Sequence, residues 1–175
     1  MELARRLIKN TMYKSLGMFV ASLSGLFLTI ILARILKPEQ FGIYSFALSL
    51  AFLAIAFSDL GIGGAMTRYI AYHIGTQNYA KVRGHFWHFL RIKIVLTVVV
   101  STILFILADF IAEVFHNELL RLPLRAASFV VMFTSFGLFL DGFYTAVQEF
   151  KLIFIRTVVY EASRWLFVLP LSILL

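Results

Sequence analysis

The stretch SDLGIGGAMTRY places an acid and a base around three glycines in an apolar part of the chain. Asp59 and Arg68 stand nine residues apart, with Gly61, Gly63 and Gly64 between them. On an unbroken helix the two charges would lie on opposite faces, about 13 Å apart along the axis, and could not pair. Because glycine weakens helices, a break there could bring them together. We interpret the glycines as hinge candidates and the two charged residues as candidate cavity residues, with snorkelling to the headgroups as the alternative for Arg68.

Further charged residues lie within later apolar blocks. Glu161 and Arg164 are spaced i, i+3, which places both on one helix face where they can pair. Arg164 lies about ten residues into its block, near mid-bilayer. Two roles remain open for it: a purely structural ion pair with Glu161, or anion binding in a hydrated cavity. Asp141 repeats the situation of Asp59, and Pro170 is a further hinge candidate.

Catalytic and metal-binding patterns are absent from the sequence. It has no cysteine, no glycine-rich phosphate loop and no GxSxG or HExxH motif. His85 and His88 are spaced i, i+3 but lack carboxylate or thiol neighbours at ligand spacing. We expect no metal site, no cofactor and no enzymatic activity.

The composition is that of a membrane protein. Hydrophobic residues make up 61% of the chain and charged residues 14%, with a mean hydropathy of +0.92, whereas soluble domains carry about 25% charged residues. The formal net charge of +7 could suggest nucleic acid. The cations lie in short turns between apolar blocks rather than on one water-exposed face, which excludes that partner.

Five apolar blocks are long enough to cross a bilayer as helices, each roughly 20 residues or more. They are 15–36, 41–66, 89–110, 122–147 and 154–175. No alternating barrel pattern occurs, so the predicted fold class is all-α integral membrane, a polytopic helix bundle. Low charge continues from the second block to residue 74, about 50 Å of helix, so the chain must tilt, kink or leave the membrane there.

Basic residues are distributed unequally between the two sets of connectors. Ten belong to one set: Arg5, Arg6, Lys9, Lys14, Lys81, Arg83, Arg91, Lys93, Lys151 and Arg156. Four belong to the other: Arg34, Lys37, Arg121 and Arg125. The positive-inside rule then places the N-terminus in the cytoplasm. The last block runs to the end of the chain without a polar tail, so we expect residues 1–175 to be an N-terminal bundle from a longer chain.

Three segments carry a family resemblance. The segments LARILKPEQFGIYSFALSL and SDLGIGGAMTRYIA follow a basic N-terminus and a first helix rich in small residues. This arrangement resembles the start of polysaccharide exporters of the multidrug/oligosaccharidyl-lipid/polysaccharide flippase superfamily, of the O-antigen flippase type. The segment FLDGFYTAVQEFKLIFIRTVVYEASRW is similar to the family's fourth helix, basic turn and fifth helix. The resemblance implies part of the first half of a two-lobed transporter.

The resemblance also implies a cargo and a location. The cargo would be an oligosaccharide on a polyprenyl phosphate or pyrophosphate carrier, moved from the cytoplasmic to the outer leaflet of the cell membrane by alternating access. Arg164 and Arg68 would attract the anionic headgroup. Asp59, Asp141 and Glu161 would set the charge of the cavity or bind a coupling proton or Na⁺. Glycan-assembly enzymes are the expected protein partners.

Three alternatives remain open from the sequence. A cation-coupled drug exporter of the same fold would be favoured by a cavity rich in acids and poor in cations. A small membrane scaffold would use its charges only to hold helices together. A membrane enzyme would need a catalytic domain outside this stretch.

Overall fold

The chain folds into helices joined by short turns. The computed structural model describes the backbone of residues 2–174 and the side chains of residues 8–166. It is 92% helical, with no strand in the described range, which confirms the all-α prediction. The helices are α1 (Glu2–Ile35), α2 (Pro38–Asp59), α3 (Ile62–Gly75), α4 (Tyr79–Val114), α5 (Arg121–Ala146) and α6 (Phe150–Leu174), with a 3-10 turn at Glu118–Leu120.

Four segments are long and apolar enough to cross a membrane, among the residues whose side chains are described. They are Ile8–Ile35, Pro38–Asp59, Tyr79–Val114 and Glu118–Ala146. The fifth predicted block, 154–175, falls in α6, and its side chains beyond residue 166 lie outside the described part. Three helices differ clearly from the predicted blocks. α1 begins at Glu2 because the basic N-terminal segment is itself helical, and α4 begins at Tyr79 because the basic, aromatic connector is helical too. α2 ends at Asp59, where the chain turns into α3.

One compact unit consists of Met1–Phe41 and Gln148–Leu175, in which α1 packs against α6. A Cβ added to Gly17 would stand 3.7 Å from the ring of Phe154. The rings of Tyr13 and Phe154 lie 6.0 Å apart between centroids. The Phe154 ring therefore packs beside Gly17 of α1, at an ordinary van der Waals distance from the place of a Cβ.

The other unit, Gly42–Val147, contains two separate apolar cores. The first joins α2, α4 and α5 through Ala47, Ala51, Ile55, Leu104, Ala108, Ala112, Leu120, Leu124, Ala127 and Val131. The second joins α3 and α5 through Ile62, Met66, Ile70, Phe139 and Ala146. Many of the first set are alanines, which allow helices to approach closely where lipid supplies no hydrophobic driving force.

Buried polar residues on α2, α4 and α5 fall, along the sequence, between residues of the first core and residues of the second. Ser58, Lys93, Thr97 and Ser135 are all 0% exposed. On α5, Ser135 falls between the residues of the first core and those of the second. Burial of an ammonium group costs free energy unless oxygen atoms surround it. Lys93 and the groups that it contacts are therefore a candidate functional site.

Candidate functional site

The chain breaks between α2 and α3 at two residues with positive φ. Leu60 has φ +41° and Gly61 has φ +81°, both in the left-handed region. Gly61 is the N-cap of α3, a position where glycine adopts this backbone at no steric cost. Gly63 and Gly64 lie inside α3. Of the three glycine hinge candidates, only Gly61 is at the break.

Lys93 of α4 holds the end of α2. Its Nζ donates to the carbonyl oxygen of Ser58 at 3.0 Å and to Oδ1 of Asp59 at 3.1 Å, and lies 3.5 Å from the Ser58 hydroxyl. The last carbonyls of a helix have no partner within the helix. Lys93 supplies one for Ser58 and places a positive charge at the negative end of the α2 dipole.

The Ser58 hydroxyl extends this cluster to α5. It donates to the carbonyl of Ile55 at 2.8 Å and lies 2.7 Å from Oγ of Ser135. A hydroxyl has one hydrogen and two lone pairs. With its hydrogen directed to Ile55, Ser58 accepts from Ser135, and its second lone pair faces the Lys93 ammonium. This buried network is satisfied and ties α2, α4 and α5 together.

The carboxylate of Asp59 lies against the first turn of α3. A Cβ added to Gly63 would stand 3.3 Å from Oδ1 and 3.5 Å from Oδ2 of Asp59. Gly63 thus leaves room for the acid beside the positive end of the α3 dipole. The side chain of Asp59 is 37% exposed and that of Lys93 is 0% exposed.

We use the name α2–α3 joint for Ser58, Asp59, Leu60 and Gly61 together with Lys93. Charges alternate in sign along the joint. The negative end of α2 meets the Lys93 ammonium, which meets the Asp59 carboxylate, which meets the positive end of α3. This explains why an acid and glycines occur together in an apolar segment: the acid compensates a buried cation and a helix end, and the glycines provide the turn and the space.

Arg68, the predicted partner of Asp59, is exposed on α3. The described cation that pairs with Asp59 is Lys93. The break in the chain therefore does not bring Asp59 and Arg68 together. Because its side chain is exposed, Arg68 remains a candidate to bind an anionic group.

Asp141 is half-buried on α5, next to a close contact with α3 at Gly142. The hydroxyl of Thr67 lies 2.8 Å from the Gly63 carbonyl of its own helix and 3.0 Å from the Gly142 carbonyl of α5. A Cβ added to Gly142 would stand 3.0 Å from Cε of Met66. Asp141 is thus carried by a backbone segment that packs directly on α3.

In the other unit, the predicted pair of Glu161 and Arg164 is present. Nη1 of Arg164 lies 3.6 Å from Oε2 of Glu161, with the Arg164 side chain 28% exposed and that of Glu161 9% exposed. The Ser24 hydroxyl of α1 donates to the same carboxylate oxygen at 2.5 Å. Trp165 Nε1 donates to the Ser24 oxygen at 2.7 Å. Glu161 is therefore held by an uncharged donor as well as by the arginine. Pro170, the last hinge candidate, lies outside the residues with described side chains.

Sequence reasoning missed the role of Lys93. It was predicted to lie in a basic cytoplasmic connector, and it lies within α4 as a fully buried side chain. A signal was available, because residue 93 falls inside the predicted apolar block 89–110. Ser58 and Ser135 gave no comparable signal, since a serine in an apolar helix commonly bonds to its own backbone.

A second polar contact joins α3 to α4 away from the joint. The Nε2 atoms of His73 and His85 lie 3.1 Å apart, and their rings stack at 4.9 Å between centroids. His73 lies on α3, outside the four candidate membrane spans. Burial, then His85 and Lys81, lower the pKa of His73 below its usual 6.5. No group of three metal-ligating side chains occurs among residues 8–166. The two Nε2 atoms are close enough to share one hydrogen bond, whose donor depends on the tautomers of the rings.

Comparison with known proteins gives one match. A family model described as polysaccharide biosynthesis protein matches residues 7–175. No curated protein and no solved structure matches the chain. The match includes residues of both units and every residue of the α2–α3 joint.

Proposed function

The chain belongs to the polysaccharide biosynthesis protein family, and from that premise we propose that it moves a lipid-linked oligosaccharide from the cytoplasmic to the outer leaflet of the cell membrane. Membership indicates polysaccharide-related transport, and the all-α architecture with four candidate spans suits a multi-pass membrane protein. The match over residues 7–175 is the observation that carries the proposal. Alternating access, with the N-terminus in the cytoplasm, is the proposed mode.

The proposed cargo carries an anionic phosphate or pyrophosphate, and Arg164 is the first candidate to bind it. Its distance of 3.6 Å from Glu161 is longer than a charge-assisted hydrogen bond. A guanidinium has five N–H donors, so this contact leaves donors for a phosphate. With 28% of its side chain exposed, the group is reachable. Arg68, exposed on α3, is the second candidate.

The acids fit a role in coupling rather than in cargo binding. Glu161 is almost buried and accepts from Ser24, and Asp59 is matched by Lys93. Carboxylates compensated in this way attract a cationic drug less than free ones, which favours an anionic cargo over the drug-exporter alternative. We propose that Glu161 or Asp141 binds a coupling proton or Na⁺ during transport, and that Asp59, paired with Lys93, sets the charge of the cavity. Glycan-assembly enzymes remain the proposed protein partners.

The test is lipid-linked oligosaccharide translocation by the full-length protein in reconstituted vesicles. Added glycosidase reports which leaflet holds the sugar. The wild type, Arg164→Ala and Arg83→Ala are compared at matched protein density. Arg83 is an exposed arginine near the basic end of α4 and controls for loss of one positive charge.

We expect the wild type and Arg83→Ala to move the lipid, and Arg164→Ala to lose about tenfold or more in rate, because a desolvated charge contact to the cargo is lost. No movement by the wild type under any ion gradient would overturn the flippase proposal and favour drug export or a scaffold role. Equal rates for all three proteins would keep the function and remove Arg164 from the site.

A further inference from the structure

The groups around the Lys93 ammonium are oxygen atoms. They are the Ser58 carbonyl at 3.0 Å, Oδ1 of Asp59 at 3.1 Å and the Ser58 hydroxyl at 3.5 Å. Carboxylate, carbonyl and hydroxyl oxygens are also the ligands that hard metal cations take in proteins. The α2–α3 joint therefore has the donor set of a cation site, with an amino group at its centre.

The electrostatics of the joint demand a cation. The carbonyl end of α2 carries a partial negative charge, and Asp59 adds a full one. The α3 N-terminus, beside Gly63, offsets part of the Asp59 charge and leaves the Ser58 side of the joint negative. Ser58 is 0% exposed, so water does not reach its carbonyl and hydroxyl oxygens, whereas the Asp59 side chain is 37% exposed. Without an ammonium, the Ser58 oxygens at the negative end of α2 would be buried without a compensating charge.

A further polar atom lies on the same face of α4. The hydroxyl of Thr97 is buried and has no hydrogen-bond partner among the described side chains. It is one turn beyond Lys93, so both side chains are on one helix face. Removing the long lysine side chain would free space on this face of α4, where the Thr97 hydroxyl and the two Ser58 oxygens are polar groups. A space that contains polar groups can admit a small ion or water.

We propose that the oxygens of the α2–α3 joint form a monovalent-cation site, and that the Lys93 ammonium is its tethered, competing occupant. Because Lys93 is part of the chain, its effective concentration at the site is high, and a free ion competes poorly with it. A free ion enters readily once the amino group is removed. The proposal concerns the joint alone and is independent of the cargo.

The experiment measures unfolding temperature of the purified full-length protein in detergent. The chlorides of N-methylglucamine, sodium, potassium and ammonium are titrated at constant ionic strength. The proteins are the wild type, Lys93→Ala, Lys93→Ala/Asp59→Asn and Lys81→Ala. Lys81 is an exposed lysine in the first turn of α4 and controls for loss of a charge outside the joint.

We expect Lys93→Ala to unfold at a lower temperature in N-methylglucamine and to recover saturably with at least one of the three small cations. The wild type should need an about tenfold higher concentration of that cation to reach half of its maximal rise in unfolding temperature, or should show no rise. The double variant and Lys81→Ala should show no recovery specific to small cations.

Two results would overturn the proposal. One is an unfolding temperature of Lys93→Ala that is the same in all four salts. The other is an equal recovery in the double variant, which lacks the Asp59 carboxylate. If Lys93→Ala does not fold, Lys93→Ser carries the same comparison, because it also removes the amino group and leaves a small polar side chain. Since no transport is measured, the result stands apart from the flippase test.

Discussion

The side-chain nitrogen of Lys93 lies 3.1 Å from Oδ1 of Asp59, although the two residues differ sharply in exposure. The lysine side chain is 0% exposed and the aspartate side chain 37% exposed. Only the lysine is therefore fully dependent on its protein partners for solvation.

Removal of the acid alone should be more harmful than removal of both charges. Asp59→Ala leaves a buried ammonium without its counter-ion and should lower the free energy of unfolding by about 3 kcal/mol. Asp59→Ala/Lys93→Met replaces both partners with apolar groups and should lose clearly less. Denaturant unfolding of the two proteins in detergent measures the difference. A double variant less stable than Asp59→Ala would contradict this account of the joint.

The space beside Gly63 should distinguish it from its neighbour. A Cβ on Gly63 would approach the Asp59 carboxylate to 3.3 Å, and a Cβ on Gly64 would meet nothing within 4 Å. Gly64→Ala should gain about 0.5–1 kcal/mol from the lower backbone entropy of alanine. Gly63→Ala should lose that gain by displacing the carboxylate from Lys93. Unfolding temperatures of the pair test this, and an equal increase in both would show that Asp59 moves freely.

The contact between α3 and α5 should not tolerate a methyl group at Gly142. A Cβ there would lie 3.0 Å from Met66 Cε, 3.3 Å from Thr67 Oγ1 and 3.5 Å from the Gly63 carbonyl. Gly142→Ala should lower stability by about 1–3 kcal/mol through overpacking. Gly84→Ala on α4, where a Cβ meets nothing within 4 Å, is the matched control. A neutral Gly142→Ala in the same unfolding assay would mean that the two helices separate easily.

The contact of His73 with His85 should weaken in acid. Burial lowers the pKa of His73 below 6.5, so the unfolded chain binds more protons than the folded chain between the lowered pKa and 6.5. Stability should therefore rise with pH through that window and be lost as pH falls below 6.5. His73→Gln should flatten this dependence, and His88→Gln, at an exposed position of α4, should leave it intact. Unfolding temperatures from pH 5 to 8 provide the measurement, and identical pH profiles for wild type and His73→Gln would refute the assignment.

The indole of Trp165 should contribute through its N–H as well as its ring. It donates to Ser24, which in turn donates to Glu161. Trp165→Phe keeps an aromatic ring and removes the donor, with an expected loss of about 1 kcal/mol. Trp87→Phe, at a residue that is 50% exposed, should cost less. Comparable losses in thermal unfolding would assign the effect to ring size rather than to the hydrogen bond.

Patterns along the chain predicted the helices and one ion pair well. The apolar blocks identified an all-helical membrane fold, and the spacing of Glu161 and Arg164 identified their contact. These succeed because helix period and bilayer thickness act on neighbouring residues. The partner of Asp59 depended on how α4 packs beside the end of α2, because Lys93 and Asp59 are 34 positions apart in the sequence. Local spacing contains no such information, and a lysine near a basic segment looks like a connector residue.

The roles of the three glycines likewise depend on contacts that local spacing does not identify. Composition identified the segment in which the chain breaks, since glycine accepts backbone that other residues avoid. It could not assign separate roles to Gly61 at the turn, Gly63 beside the carboxylate and Gly64 in open space. That division follows from what each residue faces after folding.

The unequal exposure of Lys93 and Asp59 also sets the order in which the pair can be lost during evolution. If Asp59 is lost first, the Lys93 ammonium remains fully buried without its counter-ion. If Lys93 is lost first, the Asp59 carboxylate still reaches solvent. The lysine should therefore disappear before the acid in a diverging lineage. Homologues that retain an acid at this position without the lysine should outnumber those that retain the lysine alone. A small residue at the position of Gly63 should persist for as long as the acid does.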